Sequence, residues 1–401
     1  MWGMRPRGRT WASLWGICSL ALLAACASPE IKKIHLGLIV QEGIIDGVET
    51  IRAVELAVAR FNEAGGLEID GEPHLVELHY GDPLGKPEEA ARTALQLINQ
   101  AQVFALVGPS LSINAIPVAE VAQKAGIPMV SPASTNVATT AGKPYAFRVS
   151  YTDSVQGAGL ARFAHERLGA AQAAVLFDRA EPYSRDLAEA FRKSFENDGG
   201  SITFLSYVED GWDEALAEIA RQAPDVLFLP DFEDAVEPQV RQARALGIQA
   251  TLLGSDSWPH STFSQDAAFN GAYQAVPWHS SAGVAHPLAA NYFAAYEEAW
   301  GMSPPDYISP ALAFDAAGMI LHCLRQVGRP DPQAVRDALA EIVGYPGFTG
   351  EITYRDTGGD PSKQGVILQL RDGKARFVER LPAVSPLAGR LGSLPKERAT
   401  E

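Results

Sequence analysis

Cysteine is scarce in this chain. There are three in 401 residues, Cys18, Cys26 and Cys323, so no internal disulfide framework is available and a core must hold the fold unaided. Cys323 sits in the apolar helical stretch "AGMILHCLRQVG" and reads as a small buried hydrophobe. Long apolar runs are missing too. The stretch from Trp11 to about Ala25 falls short of the ~20 residues that a membrane-spanning helix needs. Basic charge is deficient: 33 Lys and Arg face 48 Asp and Glu, a formal net charge of −15, which disfavours nucleic acid and anionic headgroups as partners. Catalytic and metal signatures are also absent. There is no G-x-S-x-G, no H-E-x-x-H, no phosphate-cradling G-x-x-x-x-G-K-[ST] and no paired-cysteine spacing. His260, His279 and His286 are irregularly spaced among loop prolines and serines, and read as surface or loop-packing histidines. No enzyme, cofactor or metal site is expected.

What is present begins with an export signal. Arg5, Arg7 and Arg9 precede the apolar run, and small residues close it. Removing residues 1–25 removes these three arginines and no acid, giving −15 − 3 = −18. Leu23-Ala24-Ala25-Cys26 resembles the bacterial lipobox, which implies that Cys26 becomes the lipidated first residue. Plain secretory cleavage after Ala25 and an uncleaved anchor are the alternatives.

The body of the chain alternates strand and helix patterns. "IHLGLIV", "HLVELHY", "VFALVG", "IPMVS" and "YAFRVS" read as strands, separated by amphipathic helices such as "ETIRAVELAVARFNEAGG" and "KPEEAARTALQLINQ". The pattern begins afresh at "AAVLFD" and runs to "ATLLGSD" and "GAYQAVPW". Three helices follow in succession, and "GEITYR" and "GVILQLRDGKARFVER" close the body as antiparallel strands around Asp372-Gly373. Such alternation predicts an α/β fold with two doubly wound, parallel-sheet lobes. The Pro-, Gly- and Ser-rich residues 381–401 read as a disordered tail.

Ligands of open α/β sheets bind outside the carboxyl ends of the strands. In "VGPSLS" and "VSPASTN" those ends break into hydroxyl residues: Ser110 and Ser112 before a helix, and Ser131, Ser134 and Thr135 at a neighbouring strand. Helix amides with adjacent hydroxyls suit a carboxylate or phosphate, although either serine alone reads as a simple N-cap. The second half ends its strands in acids: Asp178, Asp231-Phe232 and Asp256 near Trp258. Asp178 and Asp231 read equally as helix caps; Asp256 beside Trp258 is the stronger ligand candidate. Amides and hydroxyls facing an acid and aromatics suit a small zwitterion, such as a free amino acid.

From Ile34 to about Arg380 the chain resembles the type I periplasmic binding proteins, and within them the branched-chain amino-acid binding proteins of ABC importers. The resemblance rests on "ELAVARFNEAGG", "VGPSLS", "GIPMVSPASTN", "VRQARALGI", "LLGSDSW" and "GFTGEITY…GVILQL" in this order. It implies that Ser112 binds the ligand carboxylate, Ala133 offers a backbone carbonyl to the amine, and Thr135 its N–H and hydroxyl. It further implies that Tyr183 closes over the ligand, that Phe232 replaces a tyrosine of many relatives, and that Asp256 takes the ammonium. The loop "QEGIIDGVET" departs from the usual Ser/Gly-rich segment, which bears on the ligand's side chain.

The implied organisation is a signal peptide over 1–25 and a linker over 26–33. Lobe 1 takes 34–149 plus 281–347, and lobe 2 takes 150–280 plus 348–380, with hinge crossovers near 149, 280 and 348. The implied partners are a small ligand, an ABC permease and its ATPase, with the membrane reached only through the lipid. The protein is then exported and anchored, in the periplasm or at the outer cell surface. The alternative function is a ligand-sensing lipoprotein that signals to a receptor.

Overall fold

The structure is a computed structural model that describes residues 32–44, 46–282, 287–304 and 308–382. The signal segment, Cys26, His286 and tail residues 383–401 lie outside the described residues.

A first sheet holds β1 (Lys32–Ile39), β2 (Leu67–Ile69), β3 (Glu72–Gly81), β4 (Ala105–Val107), β5 (Met129–Ser131) and β6 (Ala146–Arg148), in the order β2-β3-β1-β4-β5-β6. All pairings but β2–β3 are parallel. Helices α1 (Gly47–Glu63), α2 (Pro87–Asn99) and α3 (Ser112–Ala125) connect these strands. The buried residues of β1 alternate between two cores: Leu36 and Leu38 join α1 on one face, while Ile39 joins α2 and α3 on the other. That two-period alternation explains why the strand reads as almost continuously apolar.

Four helices connect the next strands: α4 (Asp153–Glu166), α5 (Pro182–Asn197), α6 (Asp213–Gln222) and α7 (Glu233–Ala245). They accompany β7 (Gln172–Asp178), β8 (Ser201–Tyr207), β9 (Val226–Leu229), β10 (Thr251–Gly254) and β11 (Tyr273–Val276) in a second sheet. A one-turn helix α8 (His260–Phe263) precedes β11, after which α9 (Pro287–Trp300), α10 (Ile308–Val327) and α11 (Pro332–Ala340) follow. Leu312, Ala316 and Ile320 of α10 share a core with Leu36 and Leu38 of β1, which places α10 on the first sheet. A ribbon of β12 (Tyr345–Gly347) and β13 (Gly350–Ile352) comes next, then β14 (Gly365–Arg371) and β15 (Lys374–Leu381). The second sheet runs β15-β14-β11-β10-β9-β7-β8. Asp372 and Gly373 both take positive φ (52° and 74°), which suits the two-residue turn that closes the β14–β15 hairpin.

Two features bear on the expected boundaries. Beyond the crossover expected near residue 348, Asp360 still pairs with Arg148 of β6, and β14 of the second sheet begins at Gly365. The ribbon stays with the first sheet because Asp315 of α10 accepts hydrogen bonds from the amides of Phe348 (2.6 Å) and Thr349 (2.8 Å) and from the Thr349 hydroxyl (2.5 Å). Leu381, assigned to the tail, is a buried end of β15 packed on Gly159. No helix among the described residues is long and apolar enough to cross a membrane.

Candidate functional site

The carboxyl ends of both sheets face a cleft of about 650 Å³. From the first sheet come Ser110 and Ser112 at the β4–α3 turn, Ala133 and Thr135 after β5, Gly43, Ile44 and Asp46 before α1, and Ile308 and Ser309 at the start of α10. From the second come Tyr183, Phe232, Asp256, Ser257, Trp258 and His260, with Glu233, Asp234 and Glu237 of α7.

The α3 end of the cleft offers neutral donors. The N-cap of α3 is Leu111 and makes no side-chain cap bond, so neither Ser110 nor Ser112 is the simple cap that local sequence allows. The first-turn amides of a helix have no intrahelical partner and carry partial positive charge. Ser112 is held by Ser134, whose hydroxyl lies 3.0 Å from that of Ser112 and 2.7 Å from that of Thr139. Ser134 does not line the cleft: it is buried behind Ser112 and orients it, which corrects its expected role as a ligand contact. Behind this segment Arg148, fully buried, donates to Asp360 (2.7 Å), to the Ser134 and Asn136 carbonyls (both 2.8 Å) and to the Thr140 hydroxyl (2.7 Å). Its charge is therefore spent inside the protein, on fixing the loop that carries Thr135.

The opposite wall is acidic and aromatic. The Tyr183 hydroxyl donates to Asp256 at 2.6 Å, and its ring packs 5.4 Å from that of Phe232. Burial pushes the Asp256 carboxyl up to about 6, against the opposing pull of the Tyr183 hydrogen bond. Asp153, at the start of α4, is raised well above the carboxylate range by burial and by the nearby Asp256 charge. Asp46 is also raised by burial, partly offset by a hydrogen bond from Ser309. Among the described residues, five acids and no Lys or Arg line the cleft. A free anion would meet no counter-charge from these residues, whereas an ammonium would meet Asp256.

Other expected roles change once the fold is in view. Neither Asp178 nor Asp231 caps a helix. Glu181 caps α5, Asp178 accepts from the Ala180 amide (2.8 Å), and Asp231 accepts from Tyr207 and from its own neighbour Phe232 (2.9 Å). The Trp258 indole, expected to wall in the ligand, is a core group at the cleft's edge. It packs edge-on to Phe263 and Phe269 and donates Nε1–H to the Leu229 carbonyl (3.0 Å). His260 and His279 are buried and meet edge to face at 4.8 Å, so they are loop-packing rather than surface groups, and His260 reaches the cleft. Ile308 and Ser309 carry no signal in the sequence, because α10 reaches the cleft through its packing on α1 and the first sheet.

Comparison with known proteins gives this geometry a lineage. Residues 44–375 match a family model described as "Periplasmic binding protein". A Leu/Ile/Val-binding protein homolog of Brucella melitensis is 25% identical over 345 residues, covering 83% of this chain and 89% of the relative. The crystal structure of a leucine-binding protein from Thermotoga maritima superposes with a TM-score of 0.79 at 26% identity, covering 87% of this chain and 99% of that one. A solute-binding protein of an ABC transporter from R. palustris, solved with 4-hydroxybenzoate, shares the fold (TM-score 0.77, 19% identity, 89% and 99% covered).

Proposed function

The chain belongs to the periplasmic binding protein family, and on that premise we propose that it captures a free amino acid between its two lobes for an ABC importer. One observation carries the reading: Asp256 with Tyr183 faces hydroxyls and helix amides across a cleft that no Lys or Arg lines among the described residues. In this reading the α3 amides with Ser110, Ser112 and Thr135 hold the carboxylate, the Ala133 carbonyl and Asp256 hold the ammonium, and Tyr183 and Phe232 close over the side chain. Ile44, Leu111 and Ile308 form the apolar wall that favours a leucine-like side chain. The relatives named for binding Leu, Ile and Val support the same ligand class. The cleft volume, about 650 Å³, is ordinary for a ligand pocket and larger than a free amino acid fills, so the lobes must approach for both to touch it.

Export and anchoring belong to the same proposal. Cys26 carries lipid, the anchored protein stands outside the cytoplasmic membrane, and a permease with its ATPase receives the ligand.

A thermal-shift and calorimetry panel of leucine, isoleucine, valine, lysine and 4-hydroxybenzoate tests the ligand class. A ligand that binds only the native state stabilises it by ~4 kcal/mol at a thousandfold excess over Kd. Leucine-like amino acids are expected to stabilise the protein and 4-hydroxybenzoate to leave it unchanged. Binding of the benzoate without binding of any amino acid would overturn the proposal.

A further inference from the structure

Away from the cleft, the α2 face of the first sheet gathers an unusual set of side chains. Side chains alternate along a strand, so the tripeptide Glu77-Leu78-His79 puts Glu77 and His79 on one face of β3. The parallel register sets His35 of β1 opposite Glu77, and Gly37 opposite His79. Gly37 contributes no side chain, and the two imidazoles approach to 4.7 Å between ring centres.

The geometry of the three groups is that of ligands converging on one point. Glu77 Oε2 lies 4.0 Å from Nε2 of His35 and 4.0 Å from Nε2 of His79. One ligand atom from each residue falls within 4.8 Å of the other two. At 4.0 Å the carboxylate makes no hydrogen bond to either ring, so hydrogen bonding does not account for the arrangement. His35 Nδ1 is 2.6 Å from the Ala101 carbonyl. A carbonyl only accepts, so Nδ1 carries a proton, and Nε2 is the nitrogen turned toward Glu77. Metal-binding histidines are oriented by such a bond at the other nitrogen. His79 Nε2 is a buried atom with no hydrogen-bond partner. Lys33 Nζ takes Glu77 Oε1 at 2.9 Å and leaves Oε2 turned toward both rings.

We propose that His35, Glu77 and His79 bind a divalent transition-metal cation, Zn²⁺ by the chemistry of the set. Two imidazole nitrogens and one carboxylate oxygen suit zinc with a fourth position open to water, and do not suit calcium or magnesium. Ligand bonds of roughly 2.0–2.2 Å require the three atoms to draw together by about an ångström, and all three side chains are about one-third exposed, which leaves them room for that shift. The bound ion ties β1 to β3 beside the turn that follows α2. The site shares no residue with the cleft, so the two proposals stand or fall separately.

Calorimetric titration of the full chain, without a histidine tag, with zinc chloride tests this. One equivalent is expected to bind, with a rise in Tm, and His79→Ala and Glu77→Gln are each expected to weaken it at least tenfold. Circular dichroism checks that both variants fold. Should His79→Ala misfold, the exposed Glu77→Gln carries the comparison. Lys33→Ala frees Oε1 and is expected to preserve or tighten binding. Absence of zinc heat, equal affinity in both variants, or calcium binding with the same dependence on His79 would overturn the site.

Discussion

At the scale of the residue, Asp256 concentrates the chemistry of the cleft. Its carboxyl stands at about 6 against an ordinary 3.8, chiefly because burial disfavours the charge. A folded-state value above the unfolded one means that this group's contribution to stability is complete below pH ~4 and lost as pH rises through about 6. Ammonium binding runs the other way, since it needs the ionised form. Amino-acid affinity is therefore expected to weaken as pH falls below about 6, and calorimetry across that range reads it directly. Removing one partner of a buried charge pair costs ~2–5 kcal/mol. Losing a neutral donor to a charged group costs ~1.5–3 kcal/mol. Asp256→Asn is thus expected to weaken amino-acid binding more than Ser112→Ala. A pH-independent Asp256→Asn variant that binds as tightly as the parent would remove Asp256 from the site. That Asp256 stands at the cleft was legible from its place at a strand end; its link to Tyr183, 73 positions away, was not.

At the scale of the element, two packing devices hold the cleft walls. Gly254 ends β10 against the Trp258 indole, where an added Cβ would sit 2.3 Å from the ring. Overpacking of this kind costs ~1–3 kcal/mol, so Gly254→Ala is expected to lower stability by that amount in urea unfolding and to loosen the Asp256 loop. An unchanged midpoint would mean that the indole has room to shift. The second device is the Arg148–Asp360 pair. It anchors the loop after β5 to the strand-leading segment before β14, and breaking a buried pair from one side costs ~3–5 kcal/mol. Asp360→Ala should destabilise the fold to that extent, and more than Arg185→Ala, whose partner Asp186 is exposed. Equal losses would make the buried pair no more than a surface one. Sequence pattern located nearly every strand and helix, since each buries a face with its own period. It did not reveal that β12 and β13 form a separate ribbon, because three-residue strands carry too little periodicity to separate from loop.

At the scale of the whole molecule, the proposed capture requires the two lobes to move. A ligand shifts the equilibrium toward the closed state only by its extra contacts there, so it must touch both walls. A saturating amino acid is expected to reduce the radius of gyration in solution scattering. Calorimetric binding with an unchanged scattering curve would exclude closure while leaving recognition intact. Lipid attachment is tested separately by labelling cells with a fatty acid. The parent is expected to take up label and Cys26→Ser to lose it, and an unlabelled parent would sink the anchor.

The two alternating β/α halves, the strand ends that open on the cleft and the acidity of the second wall are all written in the sequence, because periodicity, turn chemistry and charge are local properties. Which of those residues face one another depends on packing between segments far apart in the chain. It moved Ser134 behind Ser112 and the Trp258 indole into the core, and it brought Ile308 of α10 to the cleft. It also placed His35 opposite Glu77, a contact set by parallel strand register across 42 positions (77 − 35) and by nothing in either segment alone.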